Sequence, residues 1–132
     1  MIFVDTGAWV ALFVPADVLH DEARSWHREN RDRLITSDYV VDEVLTLIKT
    51  RFSVQAAIQA GRWLVNEEFS ELVHLSQEDV KQAWKILRSH QDKQWSFTDC
   101  TSFVLMQRLK ISTAFAFDKH FSQMRGIHRV PD

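Results

Sequence analysis

Two aspartates stand where a fold can put them to chemical use. Asp5 follows the apolar run Ile2, Phe3, Val4, and Asp118 follows Phe115, Ala116, Phe117. A short apolar run closed by an acid suits a buried strand of a parallel sheet, so each carboxylate is expected at a strand's carboxyl end. Either aspartate taken singly reads more readily as a turn former or a helix N-cap. Two of them on neighbouring strands would face one crevice, where like charges repel unless a cation is bound. Asp99 follows Ser96 at the Ser-x-x-Asp spacing of a helix cap, which Ser76 and Asp79 repeat. Taken alone, the capping reading leads. Its place between the polar stretch His90 to Gln94 and the run before Asp118 would bring it to the same crevice. Asp42 and Glu43 are the remaining candidates. A helical wheel centred on Val41, Val44, Leu45 and Ile48 sets Glu43 opposite the apolar face and Asp42 on its flank, so periodicity selects neither and a solvated face accounts for both.

Carboxylates gathered in this way suit hard divalent cations. Mg²⁺ and Mn²⁺ prefer oxygen ligands, and Mg²⁺ keeps several waters while taking one or two carboxylates and the phosphate oxygens of a substrate. Four carboxylates can hold one or two ions, one activating a water and a second, roughly 4 Å away, steadying the leaving oxygen of an in-line displacement. No histidine is then needed as general base. Other chemistries have less support. The six histidines show no zinc-ligand spacing, and no glycine-rich loop is present to cradle a nucleotide's phosphates. Cys100 has no visible histidine partner and is expected in the core. Lys119 and His120 can contact a phosphate, but a solvated loop accounts for them equally well. Trp9, Trp63 and Trp84 fit apolar stripes, which leaves Trp95, in the polar approach to Ser96, as the tryptophan to line a groove for stacked bases.

Those side chains need elements to deliver them. Strands are expected over Met1 to Val4, Leu34 to Thr36, Leu72 to Leu75, Thr113 to Phe117 and Ile127 to Val130. A short helix is expected over Trp9 to Val14, stopped by Pro15, and a second capped by Asp17 with Leu19, Ala23 and Trp26 on one side. Further helices are expected after Ser37 or Asp38, from about Ser53, after Ser76 with Val80, Ala83, Trp84 and Leu87 inward, and from about Thr98 to Leu109. Strands alternating with helices, joined by connections too long for hairpins, imply right-handed parallel βαβ units. The expected fold is α/β, a three-layer α/β/α sandwich on a central parallel sheet of about five strands, with ligands beyond the strands' carboxyl ends.

Composition narrows the class. With 132 residues, 45% hydrophobic, three glycines, two prolines and no repeat or linker, residues 1–132 read as one domain. A net charge of −2 argues against coating nucleic acid by bulk electrostatics, yet it leaves room for a nuclease with an acidic pocket. The basic clusters at Arg28, Arg31 and Arg33 and at Lys81, Lys85 and Arg88 read as solvated helix faces. A single cysteine and the lack of a charged-then-apolar leader at Met1 make the reducing cytoplasm the expected compartment. No apolar run approaches the ~20 residues of a membrane span.

Together, the acids and their flanking residues resemble the active-site set of the PIN domain, specifically the VapC toxins of bacterial toxin-antitoxin modules. The resemblance runs from Met1 to about Phe121. It rests on Val-Asp-Thr at Val4 to Thr6, Asp-Glu-Val-Leu-Thr at Asp42 to Thr46, Ser-Phe-Thr-Asp at Ser96 to Asp99 and Phe-Asp-Lys-His-Phe at Phe117 to Phe121. It implies Asp5, Glu43, Asp99 and Asp118 as catalytic, metal-binding carboxylates, and so Glu43 over Asp42. It further implies supporting hydroxyls at Thr6, Thr98 and Ser96 that orient the carboxylates or a water. A ribonuclease requiring Mg²⁺ or Mn²⁺ follows from the resemblance, with RNA cleaved to leave a 5′-phosphate and translation arrested. A homodimer and a VapB-type antitoxin that inserts a segment into the active-site groove are implied as well. Two rivals stand beside it. One is a Mg²⁺-dependent phosphotransferase or phosphatase phosphorylated on Asp5, although Gly7 stands where the haloacid-dehalogenase pattern has its second Asp. The other is a catalytically silent module of the same fold that binds RNA or a partner, which the intact acids disfavour.

Overall fold

Every residue of the first strand, β1 (Ile2–Val4), is buried, as a strand covered by helices on both faces must be. The computed structural model describes residues 1–132. After β1 come helices α1 (Thr6–Phe13) and α2 (His20–Glu29), strand β2 (Leu34–Ser37), helices α3 (Asp38–Arg51) and α4 (Val54–Val65), and strand β3 (Glu71–Val73). Helices α5 (Gln77–Ser89) and α6 (Phe97–Arg108) lead to β4 (Thr113–Phe115), the short helix α7 (His120–Gln123) and β5 (His128–Val130). The five strands form one sheet in the order β3-β2-β1-β4-β5. All pairs are parallel, with Phe3 of β1 opposite Ile35 on one side and Ala114 on the other. This is the α/β/α sandwich expected from the alternation of elements.

The strand order decides where function can sit. From the central β1 the chain builds outward through β2 and β3, then crosses to the other side for β4 and β5. The direction therefore switches between β1 and β4, and a crevice opens beyond the carboxyl ends of those two strands. Asp5 leaves β1 there, its backbone N–H held by the Phe115 carbonyl of β4 at 3.0 Å.

Local chemistry explains most boundaries. Ser37 and Ser53 cap α3 and α4 by accepting the N–H groups of Val40 and Ala56. Three expectations are corrected. Asp17 does not cap α2: its Oδ1 accepts the Leu19 N–H at 2.9 Å in the preceding turn, and the helix opens at His20 without a side-chain cap. Strand β4 stops at Phe115, not Phe117, because the Ala116 carbonyl is taken by the Arg129 guanidinium at 3.1 Å and the chain then leaves the sheet. Trp84 is 52% exposed; α5 turns Ala83 inward, and the Trp84 ring lies beneath the Arg88 guanidinium, 5.8 Å away.

The core holds Phe3, Trp9, Phe115 and Phe121 fully buried. Trp9 ties α1 to the sheet by donating its indole N–H to Thr36 Oγ1 at 3.1 Å, and Thr36 in turn donates to the Val4 carbonyl at 3.3 Å. No helix is long and apolar enough to cross a membrane.

Candidate active site

Asp5 occupies the N-cap position of α1, yet its carboxylate makes no capping hydrogen bond. The helix-cap alternative for this residue therefore falls away. Its side chain is 5% exposed, and burial pushes its carboxyl up to about 8, with the charges of Asp99, Glu43 and Asp118 adding to the rise against the Thr6 N–H. A carboxylate held in this way ionises readily only when positive charge arrives.

Asp99 does serve as a cap and remains available. Ser96 accepts the Asp99 N–H at 3.0 Å, and Asp99 Oδ2 accepts the Ser96 N–H at 3.0 Å, the reciprocal box expected from the spacing. Ser76 and Asp79 form the identical box at α5. What differs is the partner. Asp79 receives a two-pronged ion pair from Arg108, at 2.9 and 2.8 Å. Burial alone would raise its carboxyl, but the guanidinium and the Ser76 N–H outweigh that and hold it low. Asp99 has no such cation, and burial leaves its carboxyl raised despite the Ser96 N–H and His120. Two equal sequence signals thus resolve into one structural aspartate and one poised beside the crevice.

Glu43 corrects the helical wheel. The buried residues of α3 are Val40, Val41, Val44 and Ile48. Including Val40 and dropping Leu45 turns the apolar centre by roughly 35° at about 100° per residue. Glu43 then sits on the flank beside Leu47, half-buried, and Asp42 points to solvent. Asp118 lies in the loop after β4, its side chain 43% exposed. His120 touches both carboxylates of this side of the crevice: its Nδ1 is 2.9 Å from Asp99 Oδ2 and 3.2 Å from Asp118 Oδ2. The sequence offers this histidine only as a phosphate contact or a loop residue, because its buried partner Asp99 is distant in the chain.

The four acids line a single cleft of about 340 Å³, together with Thr6, Gly7, Leu47, Ser96 and His120. They arrive from β1, α3, α6 and the loop after β4. No lysine or arginine lines it. The Thr6 hydroxyl is buried there without a protein hydrogen-bond partner, as are those of Ser70 and Ser102 elsewhere, and of the three it alone lines the cleft. Ser96 spends its hydroxyl on the cap. Thr98 does not line the cleft; its carbonyl accepts the Thr101 hydroxyl at 2.6 Å. Trp95 is a correction: it is buried on Phe103 and donates its indole N–H to Gln123, so it offers no face for a base. Cys100 is buried as expected, its thiol pushed up to about 11 by burial and by Asp99. A larger cavity of about 590 Å³ opens at the amino ends of β2 and β3, but its acids are interspersed with Arg31 and Arg33, and Arg33 pairs with Glu71.

The donor set fits a hard divalent cation. It is all oxygen, and its mutual repulsion is relieved by positive charge. No three side chains close on a point as a complete cage would require. Mg²⁺ does not demand a cage, since waters and substrate oxygens complete its shell.

Comparison with known proteins agrees with this fold. The family model for the PIN domain matches residues 2–127. The chain is 34% identical over 132 residues, all of both proteins, to the 23S rRNA-specific endonuclease VapC20 of Mycobacterium tuberculosis. It is 31% identical over 127 residues, 96% of this chain and 93% of the relative, to ribonuclease VapC26 of that organism. The crystal structure of M. tuberculosis VapC20, described as a sarcin-ricin loop cleaving toxin, superposes with a TM-score of 0.88 at 33% identity, covering 92% of this chain and 93% of the other. A toxin-antitoxin complex from Klebsiella pneumoniae shares the fold at a TM-score of 0.69 and 14% identity, over 97% and 96% of the two chains.

Proposed function

The chain belongs to the PIN-domain family, and on that footing we propose that it is a metal-dependent ribonuclease, the toxin of a VapBC-type module. The observation that carries this reading is the convergence of Asp5, Glu43, Asp99 and Asp118, from four separate elements, on one cleft with no lysine or arginine in it. Mg²⁺ or Mn²⁺, bound with the RNA's phosphate oxygens, would supply charge neutralisation at the scissile phosphate and a more acidic attacking water. Asp5 and Asp99 are the buried holders, and Glu43 and Asp118 approach from the rim. Asp99 keeps Oδ1 clear of hydrogen bonds, since both of its donors, Ser96 and His120, use Oδ2. The unpartnered Thr6 hydroxyl is placed to orient a water or the Asp5 carboxylate.

In-line hydrolysis on such a site leaves a 5′-phosphate. Because the relative 34% identical over the whole chain is named for 23S rRNA cleavage, large-subunit rRNA is the first substrate to try. The proposal extends to a homodimer and to a VapB-type antitoxin inhibiting the cleft. The phosphoaspartate rival is weaker, because a phosphoryl acceptor needs an accessible carboxylate and Asp5 is buried.

The test is incubation of the purified chain with bacterial ribosomes and naked rRNA. Cleavage that EDTA abolishes, that Mg²⁺ or Mn²⁺ restores, and whose fragments bear 5′-phosphates supports the proposal. Intact RNA under all metal conditions, or cleavage indifferent to EDTA, refutes it.

A further inference from the structure

His120 stands between two acids that belong to different elements. Its ring is 17% exposed, and the two oxygens within reach of Nδ1 are Asp99 Oδ2 at 2.9 Å and Asp118 Oδ2 at 3.2 Å. Carboxylate oxygens accept, so Nδ1 carries the hydrogen. The backbone N–H of His120 also donates to Asp118 Oδ1 at 2.9 Å. One oxygen of the exposed Asp118 is thus hydrogen-bonded by the His120 backbone, and the other lies 3.2 Å from its ring nitrogen.

The anchoring of His120 is equally specific. It opens α7, and the next residue, Phe121, is fully buried and packs edge-on against Phe103 of α6, with ring centroids 5.1 Å apart. α6 is the helix that carries Asp99 at its start. Phe121 thus locks the His120 turn to the helix that holds the other acid. At the twin box on α5 the corresponding carboxylate is tied by Arg108. A guanidinium in the cleft would supply permanent positive charge where a cation must bind, whereas an imidazole N–H can orient an acid while neutral.

We propose that His120 is a positioning residue of the cleft: its Nδ1–H donates to Asp99 Oδ2, keeping Asp99 Oδ1 free for a cation, while its ring and backbone N–H hold the loop acid Asp118 at the site. This rests on reading the cleft as a divalent-cation site. Partners that orient metal-binding groups from behind typically change metal affinity or activity by about 10- to 100-fold when lost.

The experiment compares wild type with His120→Ala, His120→Asn and His120→Gln by Mn²⁺ titration without RNA, by kcat and KM for rRNA cleavage, and by thermal melting in EDTA. The asparagine amide reaches the position of Nδ1, and the glutamine amide that of Nε2. His120→Ala is expected to weaken Mn²⁺ binding by about 10- to 100-fold, with kcat falling and KM for RNA within about twofold. His120→Asn is expected to recover most of both losses and His120→Gln little. Unchanged Mn²⁺ affinity in a folded His120→Ala protein overturns the proposal. So does equal failure of folded Asn and Gln variants, or a wild type that binds no Mn²⁺. Should the alanine variant not fold, the Asn and Gln contrast decides alone. Wild type that binds Mn²⁺ with this pattern yet cleaves no RNA would leave the His120 role standing and remove the ribonuclease reading.

Discussion

At the scale of single residues, Asp5 is the most strained by electrostatics. Its carboxyl lies near 8 in the folded protein, against about 3.9 for an unfolded aspartate. Between those values the folded state binds the extra proton, so folding stability of the metal-free protein falls as pH rises through that window. Asp99, also raised, acts in the same direction. Melting in EDTA should show a midpoint that declines from about pH 5 to about pH 8, and Asp5→Asn should flatten the decline while abolishing cleavage. Added Mn²⁺ should raise the midpoint more at pH 8 than at pH 6, because binding must displace the proton. A flat or rising midpoint in EDTA for wild type would contradict the assignment. Asp5 was legible in the sequence as an acid after a buried strand; its lack of a capping bond was not, because Asp is a good N-cap and only coordinates show whether the bond forms. For His120 the sequence shows a candidate phosphate contact but not the pairing with Asp99, which depends on a partner brought near by tertiary packing.

At the scale of elements, the paired boxes at α5 and α6 show what a motif leaves undetermined. Ser76-x-x-Asp79 and Ser96-x-x-Asp99 cap their helices identically, and the partner beside each Asp, Arg108 or His120, decides its use. Arg108→Ala removes the partner of Asp79 and should lower stability by about 1–3 kcal/mol, less than a fully buried pair because the guanidinium is nearly half exposed. Cleavage per folded molecule should stay unchanged, as read by urea unfolding alongside rate measurements. α1 offers a converse case. Gly7 lies in its first turn, a Cβ there would meet nothing within 4 Å, and the residue lines the cleft. Gly7→Ala should therefore leave stability unchanged or raise it by up to about 1 kcal/mol, as read by urea unfolding. On α3, the pattern of apolar residues located the helix but not its rotation. Val40, at the edge of the stripe, moved the buried face enough to exchange Asp42 for Glu43, a distinction within the error of any wheel drawn from hydrophobicity alone.

At the scale of the whole molecule, the order β3-β2-β1-β4-β5 is what makes four weak signals into one site. The alternation of strands and helices foretold a parallel sandwich, and the carboxyl-end rule foretold the crevice. Strand order itself is not written in local sequence, since it depends on which edges pair across long crossovers. That order places β1 against β4, and hence Asp5 beside Asp118, with α6 and α3 adding Asp99 and Glu43. The claim that these four carboxylates form one cation-dependent ribonuclease centre is tested most directly by rRNA cleavage rates of Asp5→Asn, Glu43→Gln, Asp99→Asn and Asp118→Asn at saturating Mn²⁺. Asp42→Asn, altering the exposed neighbour on α3, serves as the control. Each of the four should lose about 100-fold or more while remaining folded, and Asp42→Asn should cleave like wild type. Wild-type cleavage by Glu43→Gln with loss in Asp42→Asn, or full activity in any of the four, would contradict it.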